Sequence, residues 1–160
     1  VPANTPRFAL PYSLDADAVT DFPTEVSKPL ADRLDALIPS SAWAMASAAQ
    51  VLSGTAVNIP GATVTLDVPA GALVLVLVSF DFAIDGGVCV GRLWTDWASM
   101  QQPYAILGSP VGSTRANVAQ HYRLAGAPAG PRTVWLDAYL TAGAGQADTG
   151  TTILAVALGA

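Results

Sequence analysis

The sequence predicts a mainly β protein: an antiparallel β-sandwich preceded by an extended N-terminal arm and one short helix. Three observations carry this expectation. From about residue 41 onward, apolar residues recur at every second position between breaks containing Gly or Pro, as in strands half-buried against one core. Pro6, Pro11 and Pro23 punctuate the first 23 residues, and each lacks a donor N–H, so that stretch is neither one helix nor a central strand. Between these regions Val26, Leu30, Leu34 and Leu37 are spaced 4, 4 and 3 apart, which is one face of a helix. The 160 residues are 52 % hydrophobic and 12 % charged, enough for one ordinary core and too few for two independent domains. The expected divisions are an arm over 1–23, a helix and linker over 24–40 and a β domain over 41–160.

In the arm, "TPRFALPYSLDADAVTDFP", the residues Arg7, Leu10 and Phe22 each precede a proline and are pushed toward extended geometry. Phe8, Leu10, Tyr12, Leu14 and Phe22 make the segment too apolar for a solvated linker. Something is expected to cover them. In the helix, Ser27 can serve as N-cap, Pro29 falls in the first turn where its missing N–H costs nothing, and Pro39 ends the element. Lys28, Asp32, Arg33 and Asp35 lie away from the apolar stripe. So short a helix is marginal alone. It either docks on its own β domain, pairs with other copies as a short coiled coil, or docks on another protein.

The candidate strands are "AWAMASAAQVLS", "TAVNI", "ATVTLDV", "ALVLVLVSFDFAI", "VCVGRLWTDW", "RANVAQHYRLA", "RTVWLDAYLTA" and "TTILAVAL". Turn signals separate them, and "DGG" at Asp85–Gly87 reads as a hairpin turn. In "RTVWLDAYLTA", Val134, Leu136, Ala138 and Leu140 form an apolar face, opposite an aromatic and polar one made by Thr133, Trp135, Asp137, Tyr139 and Thr141. In "ALVLVLVSFDFAI", Val74, Val76, Val78, Phe80, Phe82 and Ile84 share one face, yet Leu73, Leu75 and Leu77 make part of the other face apolar as well. The outer face of a two-layer sandwich normally meets water, so the arm, the helix or another subunit is expected to cover these leucines. Another subunit is favoured.

The sequence carries few groups arranged for chemistry. A formal net charge of −5 leaves a phosphate-binding surface little to work with, so nucleic acid is not an expected partner. The lone Cys89 forms no internal disulfide and reads as a small buried strand residue, which suits a cytosolic origin, or at least a fold that needs no oxidation. "VPANTPRF" has no secretory signal pattern, and the apolar run at 70–84 is short and β-branched, so a soluble protein with no membrane partner is expected. His121 alternates with Arg115, Asn117, Ala119 and Arg123. It has no nucleophile motif or zinc-ligand spacing around it. Asp15 and Asp17 lack a calcium loop, and Asp32 and Asp35 are an exposed helix face. No enzyme, cofactor or metal is expected. Trp94, Trp97, Tyr104, Tyr122, Trp135 and Tyr139 form either a glycan-stacking surface or core filler and interface anchors.

The opening Thr5, Pro6, Arg7, Phe8, Leu10, Pro11 and Tyr12, followed by Asp21, Pro23, Leu30 and Leu34, resembles an N-terminal segment of virion proteins of tailed phages, particularly of actinobacterial hosts. "VGRLW", "RANVAQHYRLAGAPAGPRTVWLDAYLTAGAG" and "TTILAVAL" resemble the jelly-roll heads of phage fibre and capsid-accessory proteins, similar in pattern to trimeric tumour-necrosis-factor-like sandwiches. The resemblance implies a homotrimer on the capsid surface of the virion, made in the host cytoplasm. Its arm residues Pro6, Arg7, Phe8, Leu10, Pro11, Tyr12, Leu14 and Phe22 would bind the major capsid protein. Val26, Leu30, Leu34, Leu37, Leu73, Leu75 and Leu77 would form the oligomer interface. Two features depart from the family form: Ala9 stands where Gly is frequent, and the linking helix is short, with no long fibre shaft following it. The second departure favours a capsid decoration or minor capsid protein. The alternative is a tail fibre or baseplate knob that binds host-surface glycan.

Overall fold

A computed structural model describes residues 40–159, with the backbone alone at 110 and 111, and the backbone of Ala3–Asn4 and Pro11–Tyr12. The arm residues Pro6, Arg7, Phe8, Leu10, Leu14 and Phe22, the helix residues Val26, Leu30, Leu34 and Leu37, and Asp15, Asp17, Asp32 and Asp35 lie outside the described residues. The chain divides into two compact units, with the first unit ending at Pro39 and the second beginning at Ser40. In the first, β1 (Ala3–Asn4) and β2 (Pro11–Tyr12) pair antiparallel, with Ala3 opposite Tyr12 and Asn4 opposite Pro11.

The second unit is built from β3 (Ser40–Met45), β4 (Gln50–Val51), β5 (Val57–Val68), β6 (Leu73–Thr95), β7 (Gln101–Leu124), β8 (Gly130–Leu140), β9 (Ala144–Ala147) and β10 (Thr152–Leu158). All of its strand pairs are antiparallel. Two strands are long enough to serve both layers of a sandwich. β6 and β7 form one continuous hairpin, from Val74 opposite Leu124 to Leu93 opposite Gln101. Its true turn is the stretch 96–100, where Thr95 Oγ1 accepts from the Ala98 N–H at 2.8 Å. The first half of β6 pairs with β10, and β10 with β3. The second half pairs with β8, and β8 with β5. The result is two layers, β3–β10–β6–β7, with β9 and β4 continuing it beside the Phe82–Asp85 stretch of β6, and β5–β8–β6–β7, which is a jelly-roll arrangement.

The expected hairpin at "DGG" is therefore corrected. β6 runs through Asp85–Gly87, slips register there, and changes partners. Gly86 and Gly87 have φ of 74° and 83°, a region nearly closed to other residues, and left-handed glycine inside a strand makes a bulge that bends it. A Cβ on Gly87 would lie 1.8 Å from the Ala142 carbonyl oxygen, so the segment after β8 crosses directly over the corner. Three other expectations shift. The stretch 42–53 is broken into β3 and β4, "TAVNI" and "ATVTLDV" are one bulged strand, and the first half of β7 was not foreseen as a strand.

Alternation fills the core as expected. Val74, Val76, Val78, Phe80, Phe82 and Ile84 are buried, as are Val134, Leu136, Ala138 and Leu140, and Ile153, Ala155 and Ala157. Phe80 and Phe82 stack with ring centroids 5.3 Å apart. Across the sandwich Gly91 leaves room for the first ring: a Cβ there would lie 2.6 to 2.7 Å from three Phe80 ring carbons. Cys89 is fully buried, as expected.

Burial pushes the Cys89 thiol up to about 11 and the Tyr122 hydroxyl up to about 12, from ordinary values of 9.0 and 10.0. Both stay neutral in the folded chain at a pH that ionises them in the unfolded chain. Their contribution is thus complete below about pH 9 and is lost as pH rises through the folded values. The melting temperature is expected to hold between neutrality and about pH 9 and to decline above it. In the Cys89→Ala, Tyr122→Phe double variant the alkaline decline should be shallower, which thermal melts across that range would check.

Candidate interaction faces

The outward side of the first sheet is apolar over half its length. Trp43, Leu154 and Leu77 lie in one cross-strand row, and Val156 and Leu75 in the next. Trp43 is 70 % exposed, Leu77 52 % and Met45 50 %. Trp43, Leu77 and Leu154 border a shallow depression of about 530 Å³ that also touches Ser79 and Thr152. β3 explains why large side chains face out. Ala42 and Ala44 pack on the core, so the small residues of "SAWAM" take the inside and Trp43 and Met45 the outside. The β7 edge of this face is polar: exposed His121 stands opposite Leu77, and exposed Arg123 opposite Leu75.

Farther along the same face the chemistry becomes ionic. Arg115 donates from Nε to Asp81 Oδ1 at 3.1 Å and from its terminal nitrogen to Asp81 Oδ2 at 2.7 Å, and that nitrogen lies 3.2 Å from Asp148 Oδ2. Gln146 Nε2 donates to the other Asp148 oxygen at 2.6 Å. The Asp81 N–H donates to Thr151 Oγ1, and the Asp148 N–H donates to the Asp81 carbonyl. One guanidinium thereby ties together β6, β7 and the segment between β9 and β10.

The outward side of the second sheet carries a different cluster. Arg92 faces Asp137 across the β6–β8 pair, and Trp94 faces Trp135. Asp137 accepts Arg92 Nε at 2.7 Å, the Arg92 terminal nitrogen at 2.5 Å and Trp94 Nε1 at 2.8 Å. The Arg92 guanidinium lies 5.4 Å from the Trp94 ring centre and 5.1 Å from that of Tyr139, within cation–π range. The hydrogen-bonded Asp137 carboxylate raises the Arg92 pKa against the opposing effect of burial. Trp94 and Trp135 stack with planes 8° apart and centroids separated by 6.3 Å.

Leu73, Leu75 and Leu77, expected at an oligomer interface, lie together on the first outward face. Trp43 and Met45 join them, and sequence reasoning passed over both. The alternation of Ala with Trp and Met in β3 was the available signal. Of the six aromatics considered for a glycan surface, Tyr122 is buried and donates its hydroxyl to the Pro103 carbonyl at 2.8 Å, and Trp97 packs against the core. Trp94, Trp135, Tyr139 and Tyr104 remain partly exposed. Among the described residues no group of three or more His, Cys, Asp or Glu is gathered as for a metal.

The Arg92–Asp137 pair leaves 16 % and 8 % of its side chains exposed. Asp137→Ala would strand a largely buried guanidinium and is expected to cost about 3 kcal/mol, whereas the double Arg92→Leu, Asp137→Leu variant should lose markedly less than the sum of its single variants. Urea unfolding of the three variants would check this.

No family model matches the sequence, and no curated protein matches it. Solved structures do. The chain is similar to Eiger TNF from S. frugiperda, with 16 % identity over 76 % of this chain and 93 % of that one, at a TM-score of 0.52. It is also similar to the globular domain of the zebrafish complement 1qA protein, with 16 % identity over 76 % of this chain and 96 % of that one, at a TM-score of 0.43. A third similar structure is the enzymatically active domain of bacteriophage CBA120 tailspike protein 4, with 11 % identity over 74 % of this chain and 19 % of that one, at a TM-score of 0.33. The likeness to Eiger TNF is one of fold: the β domain is an antiparallel jelly roll of the tumour-necrosis-factor-like kind.

Proposed function

We propose that the protein is a structural component of a tailed-phage virion, a capsid decoration or minor capsid protein. It assembles as a homotrimer and is held to the major capsid protein by residues 1–23. The observation that carries this reading is the exposed apolar face of the first sheet, where Trp43, Met45 and Leu77 remain 50 % to 70 % exposed beside Leu75, Leu154 and Val156. Contiguous apolar surface of this kind in a folded domain marks a contact face, and a second copy of the chain is its occupant. The face is a broad, shallow sheet surface, suited to another sheet-built domain. Three copies follow from the resemblance to trimeric tumour-necrosis-factor-like sandwiches, and three arms would hold the shell far more tightly than one through effective concentration.

The arm is read in the same way. Its prolines limit the conformational freedom lost on docking, Phe8, Leu10 and Tyr12 offer apolar anchors, and Arg7 offers a fork for a carboxylate. This role asks for no catalytic group, cofactor or metal.

Two outcomes are expected. In sedimentation analysis the full chain should run at three times its 16.3 kDa mass, and Leu77→Glu should run as a folded monomer, because a carboxylate is stripped of water at the contact and replaces the apolar side chain that the contact buries. A variant that stays trimeric would remove the first-sheet face from the interface. Deleting residues 1–22 should leave a folded trimer that no longer binds phage particles, and retained binding would overturn the role given to the arm.

A further inference from the structure

The outward face of the second sheet lies on the side of the sandwich opposite the proposed contact between copies, and its chemistry is complete without one. Asp137 is 5 % exposed and its oxygens are occupied by Arg92 and Trp94. The Trp94 ring is consequently fixed by its own N–H, backed by the guanidinium, and set parallel to Trp135 within 8°. Such rings are ordered before any ligand arrives, which removes the usual entropic cost of a contact. Three polar groups around them are uncommitted: Trp135 Nε1, the Tyr139 hydroxyl and the hydroxyl of exposed Thr63, which pairs with Trp135 across β5 and β8, make no hydrogen bond to another described residue.

From this arrangement we infer that the Trp94–Trp135 pair, with Thr63 beside Trp135 and Tyr139 beyond the Arg92–Asp137 pair, is a binding platform for a neutral carbohydrate. A pyranose is an amphipathic plate, with an apolar face of axial C–H bonds and a rim of hydroxyls. Flat indole surfaces take the first and peripheral donors and acceptors take the second. Charge selects among the stacking ligands. Among the described residues the cation at the platform is Arg92, already neutralised by Asp137, and the chain carries a net charge of −5. Uronic acids, phosphorylated glycans and single-stranded nucleic acid, which also stack on aromatic rings, would lack the electrostatic attraction they need. The platform stands independently of how copies assemble, because none of its residues belongs to the first-sheet face.

The test is calorimetric titration of the full chain with maltohexaose, cellohexaose and mannohexaose, with polygalacturonate and an oligothymidylate as charged probes. At least one neutral oligomer should bind with a Kd of about 1 mM or tighter, and Trp135→Leu, which keeps apolar bulk but no flat ring, should weaken it about tenfold or more. Trp135→Phe should fall between the two and keeps a ring on the sheet, so it carries the comparison if Trp135→Leu fails to fold. The inference is overturned if none of the three neutral oligomers binds saturably, if the folded variants bind as well as the parent, or if a charged probe binds more tightly. A loss of binding with an unchanged sedimentation profile separates this platform from the contact between copies.

Discussion

Everything in the β domain depends on the corner at Asp85–Gly87. A straight strand of the length of β6 would extend about 75 Å, far beyond a domain of this size. Two left-handed glycines bend it instead. The segment after β8 lies so close that the position of a Gly87 Cβ is taken by the Ala142 carbonyl oxygen, and that of a Gly143 Cβ by the Gly86 oxygen. The corner and the overlying segment each require the other to be bare backbone. From that bend follow the exchange of β10 and β9 for β8 as partner, the parallel bend of β7, and the meeting of Phe80 with Gly91 across the core.

The corner also decides which side chains face out. Before it the inward set is even-numbered, ending in Phe82 and Ile84; after it the inward set is odd-numbered, with Cys89 and Leu93. A change of one residue in a period of two exchanges the faces completely. Arg92 and Trp94 therefore reach the surface on the second sheet, and they meet Asp137 and Trp135 there. On the first sheet the same rule leaves Leu73, Leu75 and Leu77 outside, where β10 and β3 add Leu154, Val156 and Trp43.

The two outward faces differ in how their polar groups are satisfied. On the second sheet aromatic and charged residues neutralise one another through short hydrogen bonds, so the face is self-sufficient toward water. On the first sheet the ionic cluster of Arg115, Asp81 and Asp148 is likewise internally paired, but the leucines and Trp43 beside it have no counterpart in their own domain that buries them. That asymmetry is the physical basis for the proposed contact between copies on one side and the proposed carbohydrate platform on the other.

Local information was sufficient wherever a strand is regular. The alternation in 132–142 and in 72–84 placed Val134 and Phe80 on the core face and Leu77 on the other from the period of two alone, and Cys89 was legible as a small buried residue. Tertiary structure decided the rest. A glycine pair permits a hairpin turn and a bulge equally, so "DGG" acquired its role only when β8 paired with the residues beyond it. The first half of β7 carries Pro103, which hides its strand character and is tolerated because that half is the edge of its sheet. Trp43 faces solvent because its alanine neighbours fit the core better. Arg92 and Asp137 lie 45 residues apart, and only the register of β6 on β8 makes them a pair. Periodicity specifies which face a residue occupies, but the neighbours on that face come from strand pairing between distant segments.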